Sequence, residues 1–387
     1  MESGLNTNFG RGVLVHEWYE SAGGAEKVFD TMMEAFPEAD VLTLWNEDGS
    51  FPGRQATETW IAKTSLRNRK ALAVPAILPT WRFQSGAYDW ALVSTHNFAH
   101  HVNFGAKSPD LRKFLYVHSP ARYVWTPEID QRGNNLGVRA VAPALRHYDR
   151  YRAQEAHAIA ANSAYVADRV RMTWGLESNV IYPPVDVTKL LAEEDWRTKL
   201  EGSDRATFDA LPKQFVMGAS RFVPYKRLDA AILAGEAAGL PVVIAGRGPE
   251  EANLRAVARD VRVPVHFVVS PSDALLYAMI QRAVSFVFLA LEDFGILPVE
   301  AMALGTPVIC LDIGGASESV IDGLTGVHVS VVDDCKGLSR AVHMAAALSS
   351  ADCVGRAREF SRERFLQSLH DFVGSGPGLI LPNGAVL

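Results

Sequence analysis

Glu292 and Glu300 bracket the stretch EDFGILPVE, with Gly295 and Pro298 between them. On one uninterrupted helix an eight-residue separation puts two side chains about 80° apart and roughly 12 Å apart along the axis. Glycine and proline argue against such a helix. The preceding VSFVFLA (284–290) reads as a buried strand, and Pro298 suits the first helical position, where its missing N–H costs nothing. Glu292 is therefore expected on the loop leaving a strand, and Glu300 in the first turn of the next helix. Between them, the amides of Phe294, Gly295 and Ile296 form a helix N-terminus that suits an anion. Gly295 lets a ligand approach the backbone closely. Taken alone, the pattern fits equally a solvated acid at 292 and a dipole-complementing acid at 300. Carboxylates beside an anion site ask for a partner rich in hydrogen-bond donors. A nucleotide sugar supplies hexose hydroxyls, a diphosphate and ribose hydroxyls in one molecule.

A diphosphate asks for cations. GASRFVPYKRLD (218–229) places Arg221 and Lys226 around a proline-containing loop between a strand and a helix. Arginine can hold phosphate through two parallel donors, and lysine supplies a mobile point charge. A second strand–glycine–helix turn follows at IAGRGPEEANL (244–254), which by itself is weak evidence.

The elements that position these residues alternate. GVLVHEW (12–18), ADVLTLW (39–45), YDWALVST (88–95) and LRKFLYVH (111–118) read as strands. KVFDTMMEAF (27–36) reads as an amphipathic helix after the turn SAGGAEK, and ALRHYDRYRAQEAHAIAAN (144–162) as a helix ending near a strand. VIYPPVD (180–186) has two prolines and no helical period, and marks a boundary. Beyond it KQFVMGAS, PVVIAGR, PVHFVV, VSFVFLA and TPVICLD read as strands separated by helices at 227–239, 252–260 and 273–283. Continuous apolar strands alternating with helices mean parallel sheets covered on both faces. The expected organisation is an N-terminal domain (1–182), a C-terminal domain (183–355), and a last helical segment (356–387) that packs back on the first. Ligands of doubly wound sheets sit at the carboxyl ends of the strands, here expected in a cleft between the domains.

Composition excludes several classes. A net charge of −6 over 387 residues argues against a general nucleic-acid binder. The charge is uneven: residues 51–150 hold 14 Lys/Arg against 6 Asp/Glu. Cys310, Cys335 and Cys353 are odd in number and widely spaced, which suits a reducing compartment. No apolar run reaches the roughly 18–20 residues of a membrane span, and MESGLNTNFGRG lacks the apolar core of a signal peptide. The expected location is cytoplasmic.

The order of these segments resembles one family. EDFGILPVEAMALGTPVI resembles the Glu–seven residues–Glu signature of family-4 retaining glycosyltransferases with the GT-B fold. HEWYESAGGAEKV (16–28) resembles their N-terminal glycine loop, and YVHSPARYVWT (116–126) their histidine-containing segment. ANSAYVADRVRMTWGLESNVIYPPVD (161–186) resembles their domain junction, and GGASESVIDGLTG (314–326) their late glycine loop. The likeness covers nearly the whole chain and is greatest to a mannosyltransferase-like branch of bacterial polysaccharide assembly. It implies an α/β GT-B architecture of two Rossmann-like doubly wound domains facing each other across a cleft.

It also implies roles. Glu292 would accept hydrogen bonds from the donor hexose, and the 294–296 amides would hold sugar and phosphate. Glu300 would bind the ribose diol. Arg221 and Lys226 would neutralise the diphosphate and the charge growing on it. His118 would contact the donor sugar, and Gly23 and Gly24 would admit the diphosphate or acceptor. His16 reads as structural. No metal or other cofactor is expected: Asp333–Asp334 lies far from the signature, and the cationic side chains take the place of a divalent cation. Three positions depart from the family pattern. FLALEDFG lacks the Pro or Ser expected before the signature, FVVSPSDALL (267–276) lacks the glycine expected before a base-contacting loop, and Thr126 stands where an acid is expected. The expected partners are a nucleotide sugar, GDP-mannose first, and a saccharide or lipid-linked saccharide acceptor, with no nucleic acid. The basic stretch around Arg67, Arg69 and Lys70 reads as a solvated loop or, more sharply, as a peripheral contact with an anionic membrane face. A nucleotide-sugar epimerase, or a non-catalytic nucleotide-sugar-binding partner, are the alternatives on the same fold.

Overall fold

The computed structural model describes residues 10–20, 23–47, 56–127, 130, 133, 135–330 and 335–374. Asp333 and Asp334 and the first nine residues, on which two of the readings above fall, lie outside the described residues. The chain divides into two compact units, Met1–Tyr182 with Phe365–Leu387, and Pro183–Arg364.

In the first unit the elements run β1 (Gly12–Tyr19), α1 (Gly24–Ala35), β2 (Asp40–Asn46), β3 (Thr57–Glu58), α2 (Lys70–Arg82), β4 (Trp90–Thr95), β5 (Arg112–Val117), α3 (Arg122–Trp125), α4 (Leu136–Ala153), β6 (Ala158–Ala161), α5 (Ala164–Trp174) and β7 (Asn179–Val180). The strands form one sheet in the order β3-β2-β1-β4-β5-β6-β7, and every pairing is parallel. Strand β1 shows why its apolar run is continuous. Val13 and Val15 join one core cluster with Ile77, Trp81, Val166 and Trp174, while Leu14 joins another with Phe29, Met32 and Phe114. Both faces are covered, so neither parity of residues can be polar.

Helix α2 differs from its reading as a proline-interrupted stretch after a basic loop. It is one helix despite Pro75 and Pro79. Each interior proline removes a backbone donor and costs about 3 kcal/mol. Ala73, Ile77 and Trp81, spaced four apart, are fully buried on one stripe and offset that cost by packing.

The second unit runs α6 (Val187–Leu191), α7 (Gly202–Ala210), β8 (Val216–Arg221), α8 (Leu228–Ala238), β9 (Val242–Arg247), α9 (Glu251–Asp260), β10 (Val265–Val269), α10 (Asp273–Arg282), β11 (Ser285–Phe288), α11 (Ile296–Ala303), β12 (Val308–Leu311), α12 (Ala316–Ser319), β13 (Gly326–Val329), α13 (Cys335–Ala345) and α14 (Ser350–Ala357). Its sheet is β10-β9-β8-β11-β12-β13, again all parallel.

The final helical pattern, read as continuous from 350 to 373, is broken. α14 ends in a short 3-10 turn at Arg358–Phe360, and α15 (Arg362–Gly374) starts afresh. Ser361 is extended, and Val185 N donates to Phe360 O at 2.9 Å, which ties the break to the start of the second unit. Residues 356–364 accordingly belong to that unit. α15 belongs to the first: Phe365, Leu369, Phe372 and Val373 are buried in the cluster of Leu14 and Phe114.

Candidate functional site

In each sheet two central neighbours send their connections in opposite directions, β1 with β4 and β8 with β11. Such a switch point opens a crevice at the carboxyl ends of the strands, where ligands of this fold class bind.

At β8/β11 the loop after β8 carries Arg221, the exposed last residue of the strand, then a 3-10 turn at Pro224–Lys226. The loop after β11 carries Glu292. The structure brings these loops together: Lys226 Nζ contacts Glu292 Oε1, with 13% and 18% of the side chains exposed. The ammonium also lies 5.9 Å from the Phe288 ring centre and 5.4 Å from that of Tyr225. Arg221 Nη2 donates to Tyr225 Oη at 2.9 Å.

Gly295 is the N-cap of α11, with φ 88. That left-handed conformation is costly for any residue with a Cβ, and a Cβ there would also press on the Phe288 ring at 3.2 Å. The helix therefore begins at Ile296, not at Pro298, which takes the third helical position. Its N–H is not needed there either, because the first turn has no intrahelical acceptors. Glu300 consequently lies in the second turn, not the first, beside Tyr277, whose hydroxyl is held above its usual range by burial and then by the Glu300 charge. Phe294 is buried, its ring centre 5.7 Å from that of Phe360. Behind the loop, Gly315 N donates to Glu292 O at 2.8 Å, and a side chain at 315 would overlap the Asp293–Phe294 backbone. The late glycine segment thus props the acidic loop from beneath.

Two residues of this unit escaped the sequence reading. Arg247, at the exposed end of β9, is in register with Arg221, so two guanidinium groups end adjacent strands. Ser270 has φ 51 and its N–H donates to Gly246 O at 3.1 Å. It occupies the segment where the family pattern expects a glycine, and it adopts the left-handed conformation that glycine would favour.

At β1/β4 the chemistry is different. Glu17 is fully buried, and its carboxylate accepts from Thr95 Oγ1 at 3.1 Å, Asn97 N and Ala99 N at 2.9 Å, and His96 N at 3.3 Å. It caps the turn at 99–101 and fixes the path of the loop after β4. His118 follows β5 directly and is half-buried; Ser94 Oγ lies 2.8 Å from its Nε2. Burial, and next the nearby His96, push the His118 imidazole down to about 3. His16 is fully buried, stacked on Phe29 at 4.7 Å, and burial holds it well below its ordinary value. Gly23 caps α1 and Gly24 opens it. The space over Gly23 is filled by the Glu26 carboxyl, whereas nothing lies within 4 Å of a side chain added at Gly24. Burial raises Glu26 to about 7.

Among the described residues two groups bring metal-ligating atoms within 4.8 Å of one another, His16–Glu17–His96 and His100–His101–Asp149. In the second, Asp149 Oδ2 accepts from Trp125 Nε1 at 2.7 Å and Trp174 Nε1 at 2.8 Å, and Oδ1 meets His101 Nε2 at 2.9 Å. Both carboxylates are already met by several protein donors, which is the chemistry of a buried hydrogen-bond network. Glu17 and Ser94 carry one sequence signal, a polar side chain inside or at the end of an apolar segment; Asp149, set among Arg146, His147, Arg150 and Arg152, carries none.

Residues 204–350 match the family described as Glycosyl transferases group 1. The chain is 27% identical over 218 residues to a GDP-mannose-dependent alpha-(1-6)-phosphatidylinositol monomannoside mannosyltransferase of Mycolicibacterium smegmatis, a stretch of 52% of this chain and 56% of that protein. It thus spans about half the length of the curated relatives it matches. Among solved structures it is similar to Anabaena Alr3699/HepE in complex with UDP, with a TM-score of 0.67 at 18% identity over 94% of this chain and 99% of that one. Sucrose-phosphate synthase of Thermosynechococcus elongatus gives the same TM-score at 16% identity, over 93% and 98%. The fold is therefore that of GT-B proteins, with two parallel-sheet Rossmann-like units.

Proposed function

We propose that this protein is a retaining hexosyltransferase that takes its sugar from a nucleoside diphosphate and gives it to a saccharide hydroxyl. The observation that carries this reading is the meeting of Lys226 and Glu292 beside the N-terminus of α11, at the β8/β11 switch point. In the free protein each neutralises the other. A hexosyl diphosphate separates them: the phosphate draws Lys226, and the sugar hydroxyls take its place on Glu292. Arg221, with Arg247 beside it, adds positive charge, and the amides opening α11 meet an adjoining phosphate oxygen. These groups stabilise the charge that grows on the departing diphosphate, which is the largest single term in many such reactions. No divalent cation is required in this reading. Glu300 binds the ribose diol from the second turn of α11.

The mannosyltransferase relative supports mannose and GDP first, and the UDP complex of HepE keeps a uridine nucleotide second. A lipid-linked saccharide acceptor, in polysaccharide or glycolipid assembly, fits the same relative. Among the described residues no helix is long and apolar enough to cross a membrane. A peripheral lipid contact has less basic surface to use than the sequence suggests. Arg67 donates to Asn46 O and Lys70 pairs with Glu20 and Glu47, while Arg69 is exposed, as are Trp60 (55%) and Leu72 (61%). Co-sedimentation with anionic vesicles that is insensitive to neutralising Arg69 would remove that contact.

Calorimetric binding of GDP, UDP, ADP and dTDP tests the donor reading directly. GDP preference supports the mannosyl assignment. If no nucleoside diphosphate binds, or if Glu292→Ala and Arg221→Ala leave transfer unchanged, the site is wrongly assigned.

A further inference from the structure

Ser94 stands between two histidines. Because β1, β4 and β5 are neighbours, His16 is in register with Ser94, and His118 follows the end of β5. Ser94 Oγ lies 3.0 Å from His16 Nδ1 and 2.8 Å from His118 Nε2. Both rings are neutral near pH 7, for the reason already given, so each carries one proton. A hydroxyl has one proton as well. It must donate to one ring and accept from the other, which leaves two arrangements. In the first, His16 Nδ1–H donates to Ser94, Ser94 donates to His118 Nε2, and His118 keeps its proton on Nδ1. In the second, every bond is reversed and His16 carries its proton on Nε2.

His16 Nε2 decides between them. It is buried and has no hydrogen-bond partner among the described residues, on a ring stacked against Phe29. An orphaned buried N–H is rarer in folded proteins than an under-used acceptor. The bare nitrogen belongs there, and the first arrangement follows.

We propose that Ser94 is a positioning residue that holds His118 as its Nδ1–H tautomer, so that the half-buried ring offers a substrate oxygen a neutral hydrogen-bond donor rather than a base. His118 Nδ1 has no partner among the described residues, and Glu17 fixes the loop that sets His96 beside the same ring, 6.4 Å away between centres. The substrate oxygen, but not the tautomer, rests on the transferase reading above. A neutral donor suits a sugar hydroxyl, which can accept one hydrogen bond while donating another.

The test is a long-range proton–nitrogen correlation spectrum of the full chain labelled with nitrogen-15 histidine, the His118 signals being assigned by their loss in His118→Asn. The unaltered protein should show His118 protonated at Nδ1 and bare at Nε2. Ser94→Ala should turn that single pattern into a mixture or into Nε2–H. If the protein transfers hexose, kcat should fall about 10- to 100-fold, as for other supporting-residue substitutions, with the donor KM little changed. Ser94→Thr, which keeps the hydroxyl, should restore the tautomer. A His118 ring protonated at Nε2 in the unaltered protein overturns the proposal without any variant having to fold. So does an unchanged tautomer in Ser94→Ala, even if activity is lost. The expected tautomers in a protein that transfers no hexose would uphold the role of Ser94 and sink only the transferase reading.

Discussion

At the β1/β4 junction the polar groups are neutral or already saturated, whereas at the β8/β11 junction they are charged and only partly buried. Glu17 takes its hydrogen bonds from the loop it caps, and His16, Ser94 and His118 bond to one another. Lys226 and Glu292 meet as an ion pair on a glycine-propped loop, with Arg221 and Arg247 exposed in the same unit. The contrast follows from what each arrangement can do. A saturated network cannot pair with a new anion without losing bonds it has. A partly exposed ion pair can exchange partners when a ligand brings a phosphate for the ammonium and hydroxyl donors for the carboxylate, so that neither charge is left without a hydrogen bond. One junction is built for fixed orientation, the other for exchange.

The sharpest way to break this comparison is Lys226→Ala. Loss of one preorganised charge stabiliser should lower kcat by about 10²–10³-fold, and calorimetry should show weaker diphosphate binding, with the thermal midpoint nearly unchanged. A large drop in stability instead would mean that the pair is structural. The converse change is Asp149→Ala in the first unit, which leaves buried indole and imidazole donors unmet. It should cost about 3–5 kcal/mol in urea unfolding while nucleotide affinity, once the protein is folded, stays within about twofold.

A smaller effect is graded with pH. Native His16, His101 and His118 stay neutral where the unfolded chain binds protons, below the ordinary value of 6.5; burial pushes His101 to about 4 and His118 to about 3. The unfolded state then holds more protons, so stability falls as pH drops below 6.5, by about 1.4 kcal/mol per pH unit per ring at most. Glu26 works the other way. Raised from 4.5 to about 7, it keeps its proton in the native state and removes stability as pH rises through that window. Three rings outweigh one carboxyl, so urea midpoints should rise from pH 4.5 to 6.5, more steeply in Glu26→Gln. A flat profile would show that the histidines are hydrated. The smallest change is Gly295→Ala, with about 1–2 kcal/mol lost to the left-handed backbone. Nucleotide affinity should fall with it, since the same residue opens α11.

The sheets were readable because burial on both faces leaves strands such as VLV and VVI no polar positions, and that signal is local. The short edge strands β3 and β7 have too few residues to carry it. The acidic loop was readable as strand–glycine–helix, but the start of α11 was placed two residues late. Proline is tolerated throughout the first turn, so Pro298 did not mark the first position, and Glu300 moved to the second turn as a result. The cation pair with Glu292 lay within reach of inference because both loops leave central strands. The Ser94 network did not: His16 and Ser94 are 78 positions apart, and only strand order brings them into register. Ser270 was noticed as a missing glycine. Its left-handed backbone became visible only in the fold.

Helix α15 has a consequence for how the chain is made. The ribosome delivers the first unit's sheet early, yet one face of its core waits for Phe365, Leu369, Phe372 and Val373. The second unit, whose residues are contiguous, has every core position available before α15 leaves the exit tunnel. The half that is translated first is therefore the half completed last, and a premature stop just after residue 364 would spare the second unit while leaving the N-terminal half exposed to proteases and chaperones.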